Sequence, residues 1–438
     1  MDNFRFTMPA LSDFLTASDC IRNVPDCAIF SDWDGLFLLI INNNEADMKL
    51  KLFLPLLILA LMGCCREESL REMSDRVFER AIAQSVLMDS QLGDNQFPRS
   101  FTADSLVTSN CEWWCSGFFP GTLWYIYEYT GNEEILSLAK KQTAKLYGLY
   151  NKKTDHDIGF QVNCSFGNGY RLTGDTTYLP EIAAGAAKLA KRFYPNAGVL
   201  RSWDFNIRGN KWSCPVIIDN MMNLELMMNA HKLFGADSLK TIALTHANTT
   251  MANHFRDDYS CFHLVDYDKE TGEIRRKQTI QGYADDSAWA RGQAWAIYGY
   301  AMMYRETGIQ EYLSQSENVA RMLLGRLPKD GVPYWDFDSP AIPEDDKDAS
   351  AAAVMASGFI DLSTLTKDAE LAKECLAMAE RQLRTLSSEH YLAKEGECAG
   401  FILKHSTGNK PGKSEIDVPL SYADYYFLEA LVKINNLK

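Results

Sequence analysis

The stretch MYRETGIQEYLSQSENVA, residues 303–320, sets the pattern of the chain. An aromatic near the end of one helix (Tyr304), a glycine at the turn (Gly308) and an acidic start to the next helix (Glu311) follow one another within eight residues. Glycine suits a helix C-terminus and an acidic side chain suits a helix N-terminus. The same order recurs in IYEYTGNEEILSLAKK (126–141), NAHKLFGADSLKTIA (229–243) and LSTLTKDAELAKECLA (362–377). Such a repeat is an αα-hairpin, a unit that buries its apolar faces only by stacking on its neighbours. From residue 75 onward no Pro/Gly/Ser-rich linker or low-complexity run interrupts the chain, and sustained strand alternation is rare. Residues 80–438 therefore read as one all-α domain. Roughly 360 residues at about 60 per hairpin gives about six hairpins. The loops at one end are long and rich in Trp, Asp and Gly, which favours a closed α/α toroid, an (α/α)6 barrel, over an open solenoid.

The bulk numbers exclude several functions. With 438 residues, 46% of them hydrophobic, the chain can bury a large core. A net charge of −14 argues against nucleic acid as a partner. It leaves room for an anionic small substrate, because a few local cations can outweigh the global field. The eleven cysteines have no metal-ligand spacing and the seven histidines form no HxxxH pair. Cys111 and Cys115 form a CxxxC, a weak signal for zinc or a disulfide. No metal and no cofactor is expected, and the sequence sets no oligomeric state.

The N-terminal region carries an export signal. Lys49 and Lys51 make a positive start, residues 52–61 an apolar core, and Leu61-Met62-Gly63-Cys64 resembles a lipobox whose cysteine is lipidated after cleavage. The apolar run is too short for a comfortable membrane span, and Pro55 disfavours a buried helix. Residues 1–47 have no reason to precede such a signal, so Met48 is read as the true start and 1–47 as an over-extended gene start. The expected organisation is signal peptide 48–64, a tether over 65–79 and the helical domain 80–438. The protein is then exported and held by a lipid on Cys64 at the periplasmic or cell-surface side of a bacterial membrane.

Five loops carry the chemistry: 113–118, 156–160, 201–203, 218–220 and 281–295. Each falls at a corresponding point in successive hairpins, hence on one rim of a toroid. Aromatic rings stack on sugar faces, and carboxylates hold hydroxyls or move protons. In QGYADDSAWARGQAW (281–295), Asp285, Asp286 and Ser287 read as helix caps, and Ala294, Ile297, Ala301 and Tyr304 as one buried face. Arg291 and Trp295, four apart, share a face on which a guanidinium could hold a carboxylate and an indole could stack a sugar. The structural alternative is an Arg paired with one of the aspartates and a Trp in the core.

HDIGF (156–160), RSW (201–203), IIDNMMNLELM (217–227) and ADDSAWARGQAW (284–295), continued by PYWDFDSP (333–340) and DASAAAVMASG (348–358), resemble glycoside hydrolase family 88, the unsaturated glucuronyl hydrolases, over about residues 80–430. The resemblance implies an (α/α)6 barrel acting on lyase-generated disaccharides, of glycosaminoglycan type, whose non-reducing end is a Δ4,5-unsaturated uronic acid. It places the catalytic acid/base at Asp219 and the second essential aspartate at Asp157. Substrate-binding positions fall on Trp114, His156, Trp203, Gln281, Arg291 and Trp295. Such enzymes hydrate the C4=C5 enol ether instead of attacking the anomeric carbon. Asp219 faces opposing influences: a helix N-terminus favours its charged form, whereas apolar neighbours and Asp157 raise its pKa, and the upward influences are expected to win. The rival readings are an unsaturated rhamnogalacturonyl hydrolase on the same barrel, a sugar epimerase, and an oligosaccharide-binding lipoprotein without turnover. Finally, the loop KHSTGNKPGK (404–413) offers Lys410 and Lys413 as partners for sulfate on the second sugar.

Overall fold

The computed structural model describes residues 68–207 and 209–437. The signal peptide, Cys64 and the segment 1–47 lie outside the described residues.

The fold starts with helix α1 (Leu70–Gln91). Ser69 and Glu72 close a capping box across its first turn, with Glu72 N–H donating to Ser69 Oγ (3.2 Å) and Ser69 N–H to Glu72 Oε2 (2.8 Å). Leu70, Met73, Val77 and Phe78 are buried from this first turn on. The tether expected over 65–79 is thus shorter, and the domain begins about ten residues ahead of residue 80. Ser69 and Glu72, three apart, are the sequence signal of this earlier start.

After α1, inner and outer helices alternate. The inner set is α2 (Phe118–Thr130), a broken helix made of α4 (Ile158–Val162) and α5 (Asn168–Thr173) joined by a π-turn, α7 (Asn220–Phe234), α9 (Ala290–Thr307), α11 (Ala349–Leu365) and α13 (Ser421–Asn435). The outer set is α1 with α3 (Glu133–Ala144), α6 (Leu179–Ala190), α8 (Asp237–Asn253), α10 (Gln310–Arg326) and α12 (Ala369–Leu386). Each inner helix packs on the next, and α13 returns to α2, closing an (α/α)6 barrel.

Composition explains the two layers. In α12 the buried residues Leu371, Cys375, Met378, Ala379, Gln382, Leu383 and Leu386 form one stripe, as befits a helix with solvent on its other side. In α11 every residue from Ala349 to Ile360 is buried, and in α9 every residue from Ala290 to Met303. The single buried face expected for α9 was therefore too narrow: the helix is enclosed all round. Small residues make this close packing possible, since a Cβ on Gly299 would lie 2.6 Å from Met221 Cβ.

Inner-to-outer connections are tight. Gly308, with φ +70°, ends α9 and leads directly into α10, the turn expected from residues 303–320. Outer-to-inner connections are long and hold all the described strands. These are the hairpin β1 (Phe97–Thr102) with β2 (Ser105–Ser109), the short pair β3 (Phe193–Tyr194) with β4 (Val199–Leu200), and an antiparallel sheet of β5 (Cys214–Ile217), β6 (Leu264–Tyr267) and β7 (Ile274–Gln278). All of them gather where the inner helices begin.

No described helix is long and apolar enough to cross a membrane. The seven described cysteines, Cys111 and Cys115 included, are free thiols, and all but Cys398 are buried.

Candidate active site

A cavity of about 620 Å³ opens at the mouth where the inner helices start. Trp114, His156, Asp157, Trp203, Asp219, Gln281 and Arg291 all line it. Their convergence follows from the hairpin register, because each sits in an outer-to-inner loop or the first turn of the helix after it.

Asp219 immediately precedes α7, yet its side chain makes no capping bond. Its Oδ2 is buried and has no hydrogen-bond partner among the described residues. Burial pushes its pKa up to about 7, against the opposing pull of Arg291, a main-chain N–H and the Trp295 indole. Desolvation thus outweighs the helix terminus, leaving a carboxyl that is partly protonated near neutrality.

Asp157 precedes α4, again without capping it. Burial and the like charges of Asp155 and Asp219 hold its carboxyl well above the usual range. Its orientation comes from His156 and Asn223. Asn223 Oδ1 accepts from Phe160 N–H (2.8 Å), so its amide nitrogen faces His156 Nδ1 at 3.2 Å. Nδ1 must then be the acceptor, which leaves the proton on Nε2, and that nitrogen lies 3.5 Å from Asp157 Oδ2. Burial keeps the imidazole neutral, its pKa well below the ordinary value. Asp155, His156 and Asp157 have ligand atoms within 4.8 Å of one another, with Nδ1 of His156 facing the Asn223 amide. His156 serves to hold Asp157.

Arg291 departs from the expected open fork. Its Nη1 donates to Asp348 Oδ2 (2.7 Å) and Thr407 O (2.8 Å), and its Nη2 to Gly408 O (2.7 Å). The guanidinium is sandwiched against the rings of Trp289 and Tyr422 and is almost wholly buried. It anchors the 404–415 loop and supplies a fixed positive charge to the cavity wall. Trp295 is fully buried against Phe160 and Tyr426, lies outside the cavity lining and stacks no sugar. It backs Asp219 from beneath. Nor do Asp285–Ser287 cap α9: Trp289 holds the N-cap position, Asp285 accepts from Thr279 N–H, and Ser287 bonds Asp336.

The 404–415 loop reaches the cavity through Asn409, Ser414 and Glu415. Lys410 instead turns to Asp345 and Asp346, with Trp335 under its ammonium, and Lys413 is exposed outside the cavity. The assignment of these two lysines to substrate is corrected accordingly: the first is held in ion pairs and the second lies off the site.

Two groups absent from the sequence reading complete the wall. His263, just ahead of β6, accepts Ile280 N–H (2.9 Å) at Nδ1, which places its proton on Nε2. That Nε2 is buried without a partner among the described residues, and burial lowers the pKa to about 3, so it is a neutral N–H donor on the cavity wall. No local motif marks it; only the β5–β6–β7 pairing carries it there. Arg99, from β1, lines the mouth.

A pair of aspartates, one poised near neutrality, between tryptophans on an (α/α)6 barrel defines a glycosidase-type site. The Glycosyl Hydrolase Family 88 pattern matches residues 90–436, and the chain belongs to that family. It is 45% identical over 356 residues to an unsaturated glucuronyl hydrolase of Formosa agariphila, covering 80% of this chain and 88% of that protein. A solved unsaturated glucuronyl hydrolase described as specific for heparin superposes with a TM-score of 0.81 at 43% identity, over 84% of this chain and 98% of its own. A Streptococcus agalactiae unsaturated glucuronyl hydrolase mutant complexed with dGlcA-GalNAc6S aligns at 28% identity and a TM-score of 0.72, over 84% and 93% of the two chains.

Proposed function

We propose that this enzyme releases the Δ4,5-unsaturated uronic acid from the non-reducing end of lyase-generated, glycosaminoglycan-type disaccharides. The observation that carries the reading is Asp219: a carboxyl at about pKa 7 with an unbonded buried oxygen, lining one cavity with Asp157. The substrates named for the relatives support the same conclusion.

The substrate is an enol ether conjugated to a carboxylate. Protonated Asp219 gives its proton to C4 while C5 gains positive charge shared with the ring oxygen. Water adds at C5 and returns a proton to the Asp219 carboxylate. The resulting C5 hemiketal opens by breaking the bond from C5 to the ring oxygen, leaving a ketone at C5 and a hemiacetal at C1. The hemiacetal collapses to the aldehyde and expels the second sugar as an alcohol. One water is consumed, and no carboxylate attacks C1, unlike ordinary glycosidases.

Asp157, oriented by His156, grips ring hydroxyls. Trp114 and Trp203 flank the sugar, and Trp203 Nε1 is a buried donor without a partner. His263 Nε2–H, Gln281 and the charge of Arg291 suit the uronate carboxylate. The test follows ultraviolet absorbance of the conjugated alkene on such a disaccharide: loss is expected, and persistence with measurable binding would reassign the cavity to binding alone.

For the segment ahead of the barrel, the proposal is export from Met48 and lipidation of Cys64. The Lys-rich start and Leu61-Met62-Gly63-Cys64 support it. Cys64→Ala should release the protein from membranes or block processing; an intact 1–47 segment in the mature mass spectrum would refute it.

A further inference from the structure

We infer that Arg99 forms an anion subsite at the mouth of the cavity, apart from the groups that face the uronate carboxylate. It takes an oxyanion carried by the sugars on the leaving side, and it rests on the function proposed above.

Four observations build it. The β1–β2 register slips between Pro98 and Ser100, so Arg99 is the bulged residue, and a bulge re-aims a side chain. Its guanidinium lies over the Trp113 ring, 4.4 Å from the centroid, and Nε donates to Glu415 Oε1 at 2.5 Å. Ring and carboxylate therefore fix the plane from one face and one edge. Both terminal nitrogens bond to no described residue, and the side chain is 29% exposed into a cavity that it lines.

An exposed Arg–Glu pair by itself adds little to stability and needs neither a bulge nor a stacked ring. A guanidinium held in this way presents a planar pair of N–H groups at no further ordering cost, the geometry that matches an oxyanion bidentately. The remaining cations of the cavity sharpen the assignment. Arg291 spends its terminal nitrogens on Asp348 and two carbonyls, while Lys153 on the same lining is an exposed ammonium that pairs with no described residue. In a chain of net charge −14, an anionic leaving sugar meets its fixed partner at Arg99.

The oxyanion has two sources: a sulfate ester on the adjacent sugar, or the carboxylate of the next uronate in a longer chain. The test compares kcat/KM on an unsulfated unsaturated disaccharide, its sulfated counterpart and the unsulfated tetrasaccharide of the same linkage. Arg99→Gln should lower the sulfated-to-unsulfated ratio about tenfold or more, through KM, if sulfate is the ligand. The same fall confined to the tetrasaccharide assigns the carboxylate. Arg99→Lys, which keeps charge and loses the fork, should fall between. Glu415→Gln removes the neutralising partner and should raise the ratio, which keeps the test alive should Arg99→Gln fold poorly. Equal loss on all three substrates would make Arg99 a prop for Trp113 and Glu415, and no change in either ratio would equally overturn the subsite. Absence of alkene loss from every substrate with the wild-type enzyme would overturn the proposed function along with it.

Discussion

Replacing Asp348 with Asn would test whether the clamp beneath the 404–415 loop is electrostatic. Asp348 is fully buried; its Oδ1 accepts from Ser350 N–H (3.0 Å), Ser350 Oγ (2.5 Å) and Thr407 N–H (3.3 Å), and its Oδ2 from Arg291. Asparagine keeps the size and the Oδ1 bonds, capping α11 as before, but leaves Arg291 as an unpaired buried cation. Removing one partner of such a pair costs about 3–5 kcal/mol. An unfolding entropy of roughly 2.1 cal/mol/K per residue over about 370 residues gives about 0.8 kcal/mol/K, hence a fall in Tm of about 4–6 °C. A second effect has a definite sign. Arg291 already lowers the Asp219 pKa, and without Asp348 its field is less opposed. The Asp219 pKa should fall, so the alkaline limb of the kcat/KM profile should move to lower pH. Calorimetry and an alkene-absorbance pH series read the two effects. A Tm within about 1 °C of wild type, with an unmoved alkaline limb, would refute the reasoning.

As the proposed acid, Asp219 acts when protonated, so its pKa of about 7 should make kcat/KM level on the acid side and falling about tenfold per pH unit above 7; a profile rising through pH 8 would contradict this. Asp219→Asn should lose about 10²–10⁴-fold in kcat, with Tm unchanged or raised because a desolvated acid is removed. Asp157→Asn should be severely impaired, with a larger share of the loss in KM than for Asp219→Asn, measured by steady-state kinetics. His263→Phe should raise KM by about 10-fold or more, the value of a charge-assisted hydrogen bond, and lower Tm by about 1–4 °C because the buried Ile280 N–H loses its acceptor; unchanged KM would take His263 away from the substrate.

The hairpins could be read because their signals are local: Gly308 and Glu311 sit within a few residues of the turn they make. Closure into a barrel followed from loop lengths, since every long connection runs from an outer to an inner helix. Asp157 and Asp219 were legible as part of an ordered set of motifs. What failed was pairing at a distance. Asp285 and Ser287 looked like caps because they precede a helix, but the main chain of Thr279, just past β7, and the remote Asp336 claim them. Arg291 looked like an open fork because Asp348 and the carbonyls of Thr407 and Gly408 lie far along the chain. Lys410 looked free until Asp345 and Asp346 folded beside it. His263 and Arg99 carry no motif, and only strand register brings them to the cavity.

The thiols bear on where such a fold can work. Burial pushes the Cys115, Cys214, Cys261 and Cys375 thiols up to about 12, which suppresses the thiolate, the form that attacks oxidants and disulfides. The barrel holds together by enclosed helices and not by cross-links, so its stability owes nothing to the redox poise around it. A protein built this way can fold in a reducing compartment or an oxidising one without a disulfide catalyst, and reductant should leave its melting curve where it was.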